Sequence, residues 1–364
     1  MKVLWLADAA SIHTKRWVSS LNASGLNIAL FSLSTDNSDY YQKHGIKTYC
    51  NNLLGNRSIS KMFYLSVLNR LKEIVKKEKP DIVHAHYASS YGLLGALVGF
   101  HPYVLSVWGS DVYDFPRISF LHKNILKYNL RKADFILSTS HVMAKETSKY
   151  ISKEILVTPF GVDTQLFKKI SGLQNDNEYV IGNVKTLSPK YGIDILVRAF
   201  KIVVDCNKGK NINLEIIGTG PDREKLEQLT RDLGLKDKVH FIGRIENTCL
   251  PDYYNRFLVS VSLSILNSES FGVVAVEAMA CECPVITSDA DGFTEVVKDG
   301  ETGFIVPKRN IEETAKAIQR FIDDPMLRNK MGRKGRKRVI ELYDWNKNVE
   351  NMISIYNAII HKYI

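Results

Sequence analysis

Residues 269–280 read Glu-Ser-Phe-Gly-Val-Val-Ala-Val-Glu-Ala-Met-Ala. Small and apolar side chains fill the part from Gly272 to Ala280, which predicts a buried helix. The backbone N–H groups of Phe271, Gly272 and Val273 lie at the start of this helix, where they are free and where the helix dipole is positive. Such a helix start suits a diphosphate, so the sequence predicts an anion site here.

The same stretch contains two glutamates. Glu277 is a carboxylate within an apolar helix, where burial without a partner is costly, and two vicinal ribose hydroxyls would satisfy it. Glu269 precedes the helix and would face a sugar carried on the diphosphate. When the two residues are considered alone, the simpler interpretation is a surface position for Glu269 and an internal ion pair for Glu277.

Short apolar runs alternate with amphipathic segments on both sides of this stretch, which predicts parallel sheets covered by helices, in an α/β chain of two doubly wound domains. The chain has 364 residues, more than one hydrophobic core usually serves. Its polar segment 171–178 predicts the linker, so the domains are expected at 1–170 and 171–345. The predicted strands are 2–7, 27–33, 81–86, 103–108, 134–139 and 154–158, then 179–184, 213–217, 239–242, 258–263, 284–287 and 303–306.

Composition excludes some classes of protein. The hydrophobic share is 45%, and no apolar run approaches the length of a membrane span. The net charge is +10, and the whole excess lies in residues 1–170, which hold 22 basic and 12 acidic residues. This asymmetry favours an anionic partner for the first half. Five cysteines and no recognisable export signal predict reduced thiols and a cytoplasmic protein.

Residues 182–192 read Gly-Asn-Val-Lys-Thr-Leu-Ser-Pro-Lys-Tyr-Gly, at the end of one predicted strand and the start of a helix. Lys185 and Lys190 are five residues apart and would clamp a diphosphate leaving group, whose charge grows as its bond to the sugar breaks. Two solvated surface lysines are the alternative. Gly218, in residues 217–221, and Arg244, in residues 241–244, are further candidate site residues, and each is weaker evidence on its own.

Together with Pro-Val-Ile at 284–286 and Glu-Val-Val-Lys-Asp-Gly-Glu-Thr-Gly at 295–303, these motifs resemble the family 4 (GT4) retaining glycosyltransferases over nearly the whole chain. The resemblance implies the GT-B fold, with two Rossmann-like domains facing across a cleft. The first domain would bind the acceptor and the second the nucleotide sugar, and a C-terminal helix at 346–364 would cross back to the first. It also implies retention of anomeric configuration and no metal or cofactor. Because no protein nucleophile is evident at the expected place, we expect a front-face reaction.

The resemblance also implies roles for single residues of the second half. Glu269 would hold the sugar and Glu277 the ribose, while Lys185 and Lys190 would steady the departing diphosphate. The family usually has arginine where Lys185 stands, and lysine neutralises phosphate without the bidentate fork of arginine. The further donor-binding candidates are Phe271, Gly272, Val273, Gly218 near the nucleotide and Arg244 near the base.

Acceptor-side candidates follow three strands of the first half. Many relatives have histidine where Trp108 stands, so Trp108 is expected to stack on a sugar or line the acceptor pocket. His86 is expected near the acceptor, although a buried core histidine is the commoner case. Asp111 would orient a hydroxyl or cap the next segment. The loop after the first strand lacks the family's glycine pair and offers Ser11, His13, Lys15 and Arg16, which an ordinary first helix with a basic turn explains equally well.

Residues 57–79 combine an apolar stripe at helical spacing with seven basic and two acidic residues. A helix packed on its own sheet with a solvated basic face accounts for much of this pattern. We also expect weak, reversible docking of this segment on an anionic membrane surface. The resemblance then implies a cytoplasmic hexosyltransferase at the inner face of the membrane, using a UDP- or GDP-type sugar and a polysaccharide, lipid-linked or glycolipid acceptor.

Four other functions compete with this interpretation. A metal-dependent GT-A transferase would use the Asp-Ala-Asp sequence at 289–291, although such short matches are common. A nicotinamide-dependent oxidoreductase would need a Gly-x-Gly-x-x-Gly after the first strand, which is missing. A non-catalytic sugar- or lipid-binding relative would explain the departures at Trp108 and Lys185. Nucleic-acid binding would explain the charge, but no known module supports it.

Overall fold

The computed structural model describes residues 1–36, 39–51, 66–173 and 178–363. Its internal contacts form two compact units, the first made of Met1–Pro159 with Asn346–Ile364 and the second of Phe160–Trp345. The boundary precedes the expected linker at 171–178, of which 174–177 lie outside the described residues. The reason is that residues following Pro159 already pack in the second unit, where Val162 forms a bridge with Asp344.

The first unit contains one parallel sheet of seven strands in the order β3-β2-β1-β4-β5-β6-β7. All five residues of β4 are buried, as expected for a strand covered on both faces. The strands are β1 (Lys2–Leu6), β2 (Asn27–Ser32), β3 (Lys47–Cys50), β4 (Ile82–His86), β5 (Tyr103–Val107), β6 (Phe135–Ser138) and β7 (Ile155–Val157).

Eight α-helices belong to the described part of this unit. The last of them confirms the predicted return of the C-terminal helix, because Val349, Met352, Tyr356 and Ile359 form a buried stripe and Asn348 Nδ2 donates to the Pro159 carbonyl at 3.2 Å. The helices are α1 (Ile12–Ala23), α2 (Tyr40–Lys43), α3 (Leu68–Glu78), α4 (Ser90–Val98), α5 (Ser110–Tyr113), α6 (Phe120–Lys132), α7 (His141–Thr147) and, from the chain's end, α15 (Trp345–Tyr363).

The second unit repeats this architecture with six parallel strands in the order β10-β9-β8-β11-β12-β13. Its strands are β8 (Tyr179–Val184), β9 (Ile212–Ile217), β10 (Val239–Gly243), β11 (Val259–Ser262), β12 (Val285–Ser288) and β13 (Gly303–Val306). Its helices are α8 (Ile193–Cys206), α9 (Arg223–Asp232), α10 (Leu250–Arg256), α11 (Val273–Ala280), α12 (Asp291–Val296), α13 (Ile311–Asp323) and α14 (Pro325–Leu342).

Each sheet has one place where the order of its strands reverses. In the first sheet this place lies between β1 and β4, and in the second it lies between β8 and β11. Ligands of doubly wound α/β proteins bind beyond the carboxyl ends of the strands at such switch points. Two separate Rossmann-like sheets confirm the predicted fold class and are inconsistent with the single-domain GT-A alternative. None of the described helices is long and apolar enough to span a membrane.

Candidate active site

The switch point of the second unit brings together residues that are far apart in sequence. Lys185 follows β8, and Ser264 follows β11, the neighbouring strand. Lys185 Nζ donates a hydrogen bond to Glu269 Oε2 at 2.6 Å, and Ser264 Oγ donates to the same oxygen at 2.8 Å. Two of the predicted catalytic residues therefore form an ion pair directly at the switch point.

Glu269 is held in its charged form. Burial of this carboxyl opposes ionisation, but the charge and hydrogen bond of Lys185, the hydrogen bond of Ser264 and the charge of Lys190 outweigh burial and hold the pKa below its usual value. The side chains of Lys185 and Glu269 are only 14% and 11% exposed. Glu269 is thus an ionised hydrogen-bond acceptor at neutral pH, rather than the surface loop residue that the sequence alone permitted.

Tyr191 lies close to both lysines of the predicted clamp. Its ring centroid is 4.6 Å from Lys185 Nζ and 4.8 Å from Lys190 Nζ, distances typical of cation–π contacts. The short 3-10 helix Pro189–Tyr191 carries Lys190 back toward the strand end, and Gly192 at φ 61° follows it. A Cβ on Gly192 would lie 2.3 Å from the Leu263 carbonyl oxygen, so the tight turn requires glycine.

The start of α11 has the character expected of an anion site. Its N-cap is Gly272 at φ 81°, and no side chain in the described part of the chain caps it by a hydrogen bond. The Phe271 ring is buried against Phe160 and Tyr343 at centroid distances of 6.1 and 5.4 Å, which anchors the loop. A Cβ on Gly292 would lie 2.3 Å from Phe271 N. The backbone at Phe271, Gly272 and Val273 is therefore held in place by packing around it.

Glu277, on the buried side of α11, is bound by neutral donors. Asn247 Nδ2 donates to Oε1 at 3.0 Å, and the Tyr254 hydroxyl donates to Oε2 at 3.0 Å. Burial and the Glu277 charge raise the pKa of Tyr254 well above its ordinary value, so this hydroxyl keeps its proton. Neither partner was predicted from the sequence, because both lie on other elements.

Gly218 and Arg244 follow neighbouring strands of the second sheet. A Cβ on Gly218 would lie 2.0 Å from the Lys185 carbonyl oxygen, so close packing of two loops accounts for this glycine without a ligand. Gly218 N donates to the Gly243 carbonyl at 2.7 Å, which places the residue before Arg244 at the same edge. Arg244 is exposed directly after β10. Their contacts with a nucleotide stay predictions.

In the first unit, two histidines on β4 lie in an aromatic stack but differ in their partners. His84 Nδ1 is 2.6 Å from the Tyr356 hydroxyl, and His84 Nε2 is 2.8 Å from Ser106 Oγ. His86 stacks on Trp5 with ring centroids 3.7 Å apart, and neither of its ring nitrogens has a hydrogen-bond partner in the described part of the chain. Burial lowers the pKa of both histidines, and the neighbouring His84 lowers that of His86 further.

Asp111 ties together the loops that follow β4 and β5. Its carboxylate is fully buried and accepts backbone N–H bonds from Ala88 at 2.6 Å, Gly109 at 2.7 Å and Trp108 at 3.1 Å. Burial raises the pKa of Asp111, against the lowering by these N–H groups. Asp111 lies within α5, whose N-cap is Gly109 with no side-chain cap, so these contacts join the two loops and any role at the acceptor stays a prediction. They hold the Trp108 ring 5.2 Å from His86, so both acceptor candidates lie in one cluster.

The loop after β1 meets the same cluster through one residue. The His13 ring lies 6.0 Å from Trp108 in an edge-on arrangement. Ser11 occupies the N-cap of α1, but its hydroxyl makes no capping bond. Lys15 Nζ pairs with Asp36 at 3.0 Å, so much of the positive potential expected from Lys15 is offset within the unit. Arg16 follows on α1 and is partly buried.

The Asp-Ala-Asp sequence weighed for a metal lies at the start of α12. Asp289 accepts from the Lys308 backbone N–H at 2.9 Å and pairs with Lys308 Nζ at 3.5 Å. Across the described ranges, no group of three His, Cys, Asp or Glu side chains is arranged to hold a metal ion.

Comparison with known families agrees with this geometry. Residues 2–140 match the family model of glycosyl transferase 4-like proteins, and residues 164–338 match that of glycosyl transferases group 1. The chain belongs to the GT4-type glycosyltransferases. It is thus a group 1 glycosyltransferase, an enzyme that acts on nucleotide sugars, which confirms the family and enzyme class predicted from the sequence.

Two curated relatives resemble this glycosyltransferase over most of its length. N-acetyl-alpha-D-glucosaminyl L-malate synthase of Bacillus anthracis is 27% identical over 81% of this chain and 79% of its own. The capsular polysaccharide biosynthesis glycosyltransferase CapM of Staphylococcus aureus is 29% identical over 81% and 83%.

Solved structures share the fold of the glycosyltransferase at low identity. Sucrose-phosphate synthase of Thermosynechococcus elongatus superposes with a TM-score of 0.84 at 23% identity, covering 100% of both chains. HepE of Anabaena in complex with UDP and glucose has a TM-score of 0.82 at 18% identity, covering 98% of this chain and 100% of its own. These likenesses support the GT-B architecture.

Proposed function

We propose that this glycosyltransferase moves a hexose or N-acetylhexosamine from a UDP- or GDP-type sugar to a glycan or lipid-linked acceptor, with retention of anomeric configuration. The observation that carries the proposal is the convergence of Lys185, Lys190 and Glu269 at the switch point of the second unit. Two cations beside an ionised carboxylate form a set that binds both parts of such a donor, the diphosphate and the hydroxyls of its sugar.

The donor diphosphate would bind to the amides at the start of α11 and to the two ammonium groups. Helix N-termini favour phosphate because unpaired N–H groups and the helix dipole both attract negative charge. Glu269 would accept hydrogen bonds from the sugar hydroxyls. Glu277 would accept from the ribose, because its two oxygens are presented by Asn247 and Tyr254 in a fixed orientation.

The proposed reaction is a front-face displacement. The bond between the sugar C1 and the β-phosphate oxygen breaks, and a bond from the acceptor oxygen to C1 forms on the same face. The acceptor proton moves to the departing phosphate. Lys185 and Lys190 stabilise the charge that grows on this phosphate. Because these cations and the helix start supply positive charge, we propose that no metal ion is needed.

The acceptor would bind at the carboxyl edge of the first sheet. Trp108 is partly exposed, and its ring would stack on a sugar of the acceptor. Burial keeps His86 neutral, and neither of its ring nitrogens has a hydrogen-bond partner in the described part of the chain. One nitrogen would therefore donate a hydrogen bond to the acceptor and the other would accept one. His13 lies against Trp108 and would extend this surface. Ser11, Lys15 and Arg16 lie on the same loop and helix start.

The acceptor class rests on charge and on the relatives. Residues 1–170 carry the whole basic excess of the chain, which suits an acceptor that bears phosphate or lies at an anionic surface. CapM is named for capsular polysaccharide biosynthesis. We infer that the transferase works in the cytoplasm, at the inner face of the membrane, on growing cell-surface glycan.

The deciding experiment is a turnover assay. The purified chain is incubated with a panel of UDP- and GDP-sugars and with lipid-linked or glycan acceptors, and released nucleotide is measured with and without EDTA. The proton NMR spectrum of the product then gives the anomeric configuration. We expect turnover that EDTA leaves unchanged and a product with the donor's configuration. An inverted product would contradict the front-face mechanism, and EDTA-sensitive turnover would contradict metal independence.

A further inference from the structure

A group of large apolar side chains projects from the first unit between the 3-10 helix Phe115–Arg117 and α6. Ile118 is 61% exposed, Phe120 81% and Leu121 65%. We name residues 118–121 the α6 tip. Single exposed apolar residues are common on protein surfaces, but three within four residues form a patch, and such patches mark interaction sites.

The fold holds this tip in its exposed position. Ser119 Oγ accepts the His122 backbone N–H at 3.4 Å and lies 2.7 Å from His122 Nδ1, which caps α6. The His122 ring packs edge-on against Phe115 at 4.9 Å, and Phe115 packs against the core of the unit. Arg117 on the other side pairs with Glu146 at 2.8 Å. Both flanks of the tip are therefore anchored.

Positive charge follows α6, in a stretch that begins after the exposed Asp114 and ends before the half-buried Asp134. Residues 115–133 contain five lysines and arginines and no aspartate or glutamate. Lys123, Arg131 and Lys132 are exposed on α6, and Lys132 Nζ lies 5.8 Å from the ring centroid of Tyr128, which is itself 38% exposed. Apolar side chains bordered by lysine and arginine complement a lipid surface, where apolar groups enter the acyl boundary and cations meet anionic headgroups.

We propose that the α6 tip docks the first unit on an anionic lipid bilayer. Ile118, Phe120 and Leu121 insert at the headgroup boundary, and the cations of α6 lie against lipid phosphates. The tip follows β5 and Trp108 along the chain, so docking holds the carboxyl edge of the first sheet near the headgroups. Delivery of a lipid-linked acceptor to that edge rests on the proposed function, whereas docking itself does not.

This surface differs from the one expected at residues 57–79. Residues 57–65 lie outside the described part of the chain. In the described remainder, α3 buries Leu71 and Ile74 in the core, while Leu68 and Val75 pack against that core. Its exposed face is basic, with Lys72, Lys76 and Lys77, and carries no exposed large apolar side chain among the described residues. The apolar stripe of α3 thus serves folding, and α3 can add only electrostatic attraction.

Vesicle co-sedimentation of the full chain tests the proposal, with neutral phosphatidylcholine vesicles and mixed vesicles that also contain phosphatidylglycerol. We expect binding to the anionic vesicles that weakens at high salt. The double variant Phe120→Ser/Leu121→Ser should weaken binding about tenfold, because it removes two inserted side chains. The charge-reversal variant Lys123→Glu/Arg131→Glu should make vesicle binding less dependent on salt. The matched control is Met326→Ser, which removes an apolar side chain 79% exposed in the second unit and should bind like the wild type.

Three results would overturn the proposal. The first is wild-type protein in the supernatant with anionic vesicles, and the second is a tip variant that sediments like the wild type. The third is loss of binding in Lys72→Glu/Lys76→Glu when the tip variant retains it. A dimer in light scattering that the tip variant dissociates, without vesicle binding, would identify the tip as a surface for a second copy. Unchanged circular dichroism excludes misfolding, and since no sugar donor is used, failure here is distinguishable from failure of the proposed transfer.

Discussion

The carboxyl edges of the two sheets have the same architecture and opposite chemistry. At the second sheet, charged groups meet directly, with Lys185 and Glu269 in an ion pair and Lys190 close enough to influence the carboxylate. At the first sheet, the corresponding place holds neutral rings, with His86 stacked on Trp5 and near Trp108. One scaffold thus presents charged groups in one unit, as the proposed diphosphate site requires, and aromatic and imidazole rings in the other. The chemistry lies in the loops rather than in the fold.

The largest effect is expected when one cation is removed from the carboxyl edge of the second sheet. Lys190→Ala should lower kcat by about 100- to 1000-fold, because one cation that stabilises the leaving phosphate is lost. Steady-state kinetics with saturating donor measures this loss. The matched control is Lys316→Ala, which removes an exposed lysine of the second unit that pairs with Glu313 at 2.8 Å. Equal activity of the two variants would show that the clamp does not act on the leaving group.

A smaller effect is expected at the buried glutamate of α11. Glu277→Gln keeps the shape of the side chain but removes its charge, so a ribose hydroxyl loses a charged acceptor worth about 2 kcal/mol. The donor KM should rise about 30-fold with kcat little changed. Glu215→Gln is the control, since Glu215 is a partly buried glutamate of the same unit that pairs with Arg256 at 3.1 Å. A fall in kcat at unchanged KM would place Glu277 in the chemical step instead.

The two histidines of β4 differ in their hydrogen-bond partners, so their variants are expected to differ in stability and in acceptor binding. His84→Phe leaves the Tyr356 hydroxyl and Ser106 Oγ without their partner, so the free energy of unfolding should fall by about 1.5 kcal/mol. His86→Phe removes nitrogens that have no partner among the described residues, so stability should change less while the acceptor KM rises. Urea unfolding and acceptor titration separate the two. Equal destabilisation by both would contradict the distinction between a structural and a ligand-facing histidine.

The last expected effect is a pH dependence of stability. Burial lowers the pKa of His84 from 6.5 to about 3. Below pH 6.5 the unfolded chain therefore binds a proton that the folded chain does not, so stability present above that pH is lost as the pH falls toward 3. The slope from this histidine is at most about 1.4 kcal/mol per pH unit. Urea unfolding at a series of pH values should show a shallower slope for His84→Phe, and an unchanged slope would contradict this assignment.

Most strands could be predicted because they are buried on both faces and read as continuous apolar runs. β8 and β13 have the predicted bounds, and the other predicted strands differ only at their ends. β3 was missed because Lys47–Cys50 is an edge strand with no fully buried residue. The segment after Pro159 was placed in the wrong unit because its packing against the second unit depends on long-range contacts that its composition does not reveal.

The motifs named several residues that the structure brings together at the candidate site, while the hydrogen-bond and ring partners of those residues were not predicted. Ser264, Tyr191, Asn247 and Tyr254 carry no local signal, because their contacts with the predicted residues depend on how separate elements pack. Asp36 offsets the charge of Lys15 in the same way. The α6 tip was missed for the opposite reason, because apolar residues at the start of a helix normally indicate burial, and only the structure shows that this end projects outward.

The return of α15 to the first unit has a consequence for synthesis. His84 and its partner Tyr356 are 272 residues apart. The first unit therefore cannot be completed until the whole second unit, which is continuous in sequence, has been synthesised. A chain that ends before Asn346 would contain the whole second unit. Its other half would still display the apolar surface that α15 covers, which makes this stage of translation the one at which a chaperone has most to shield.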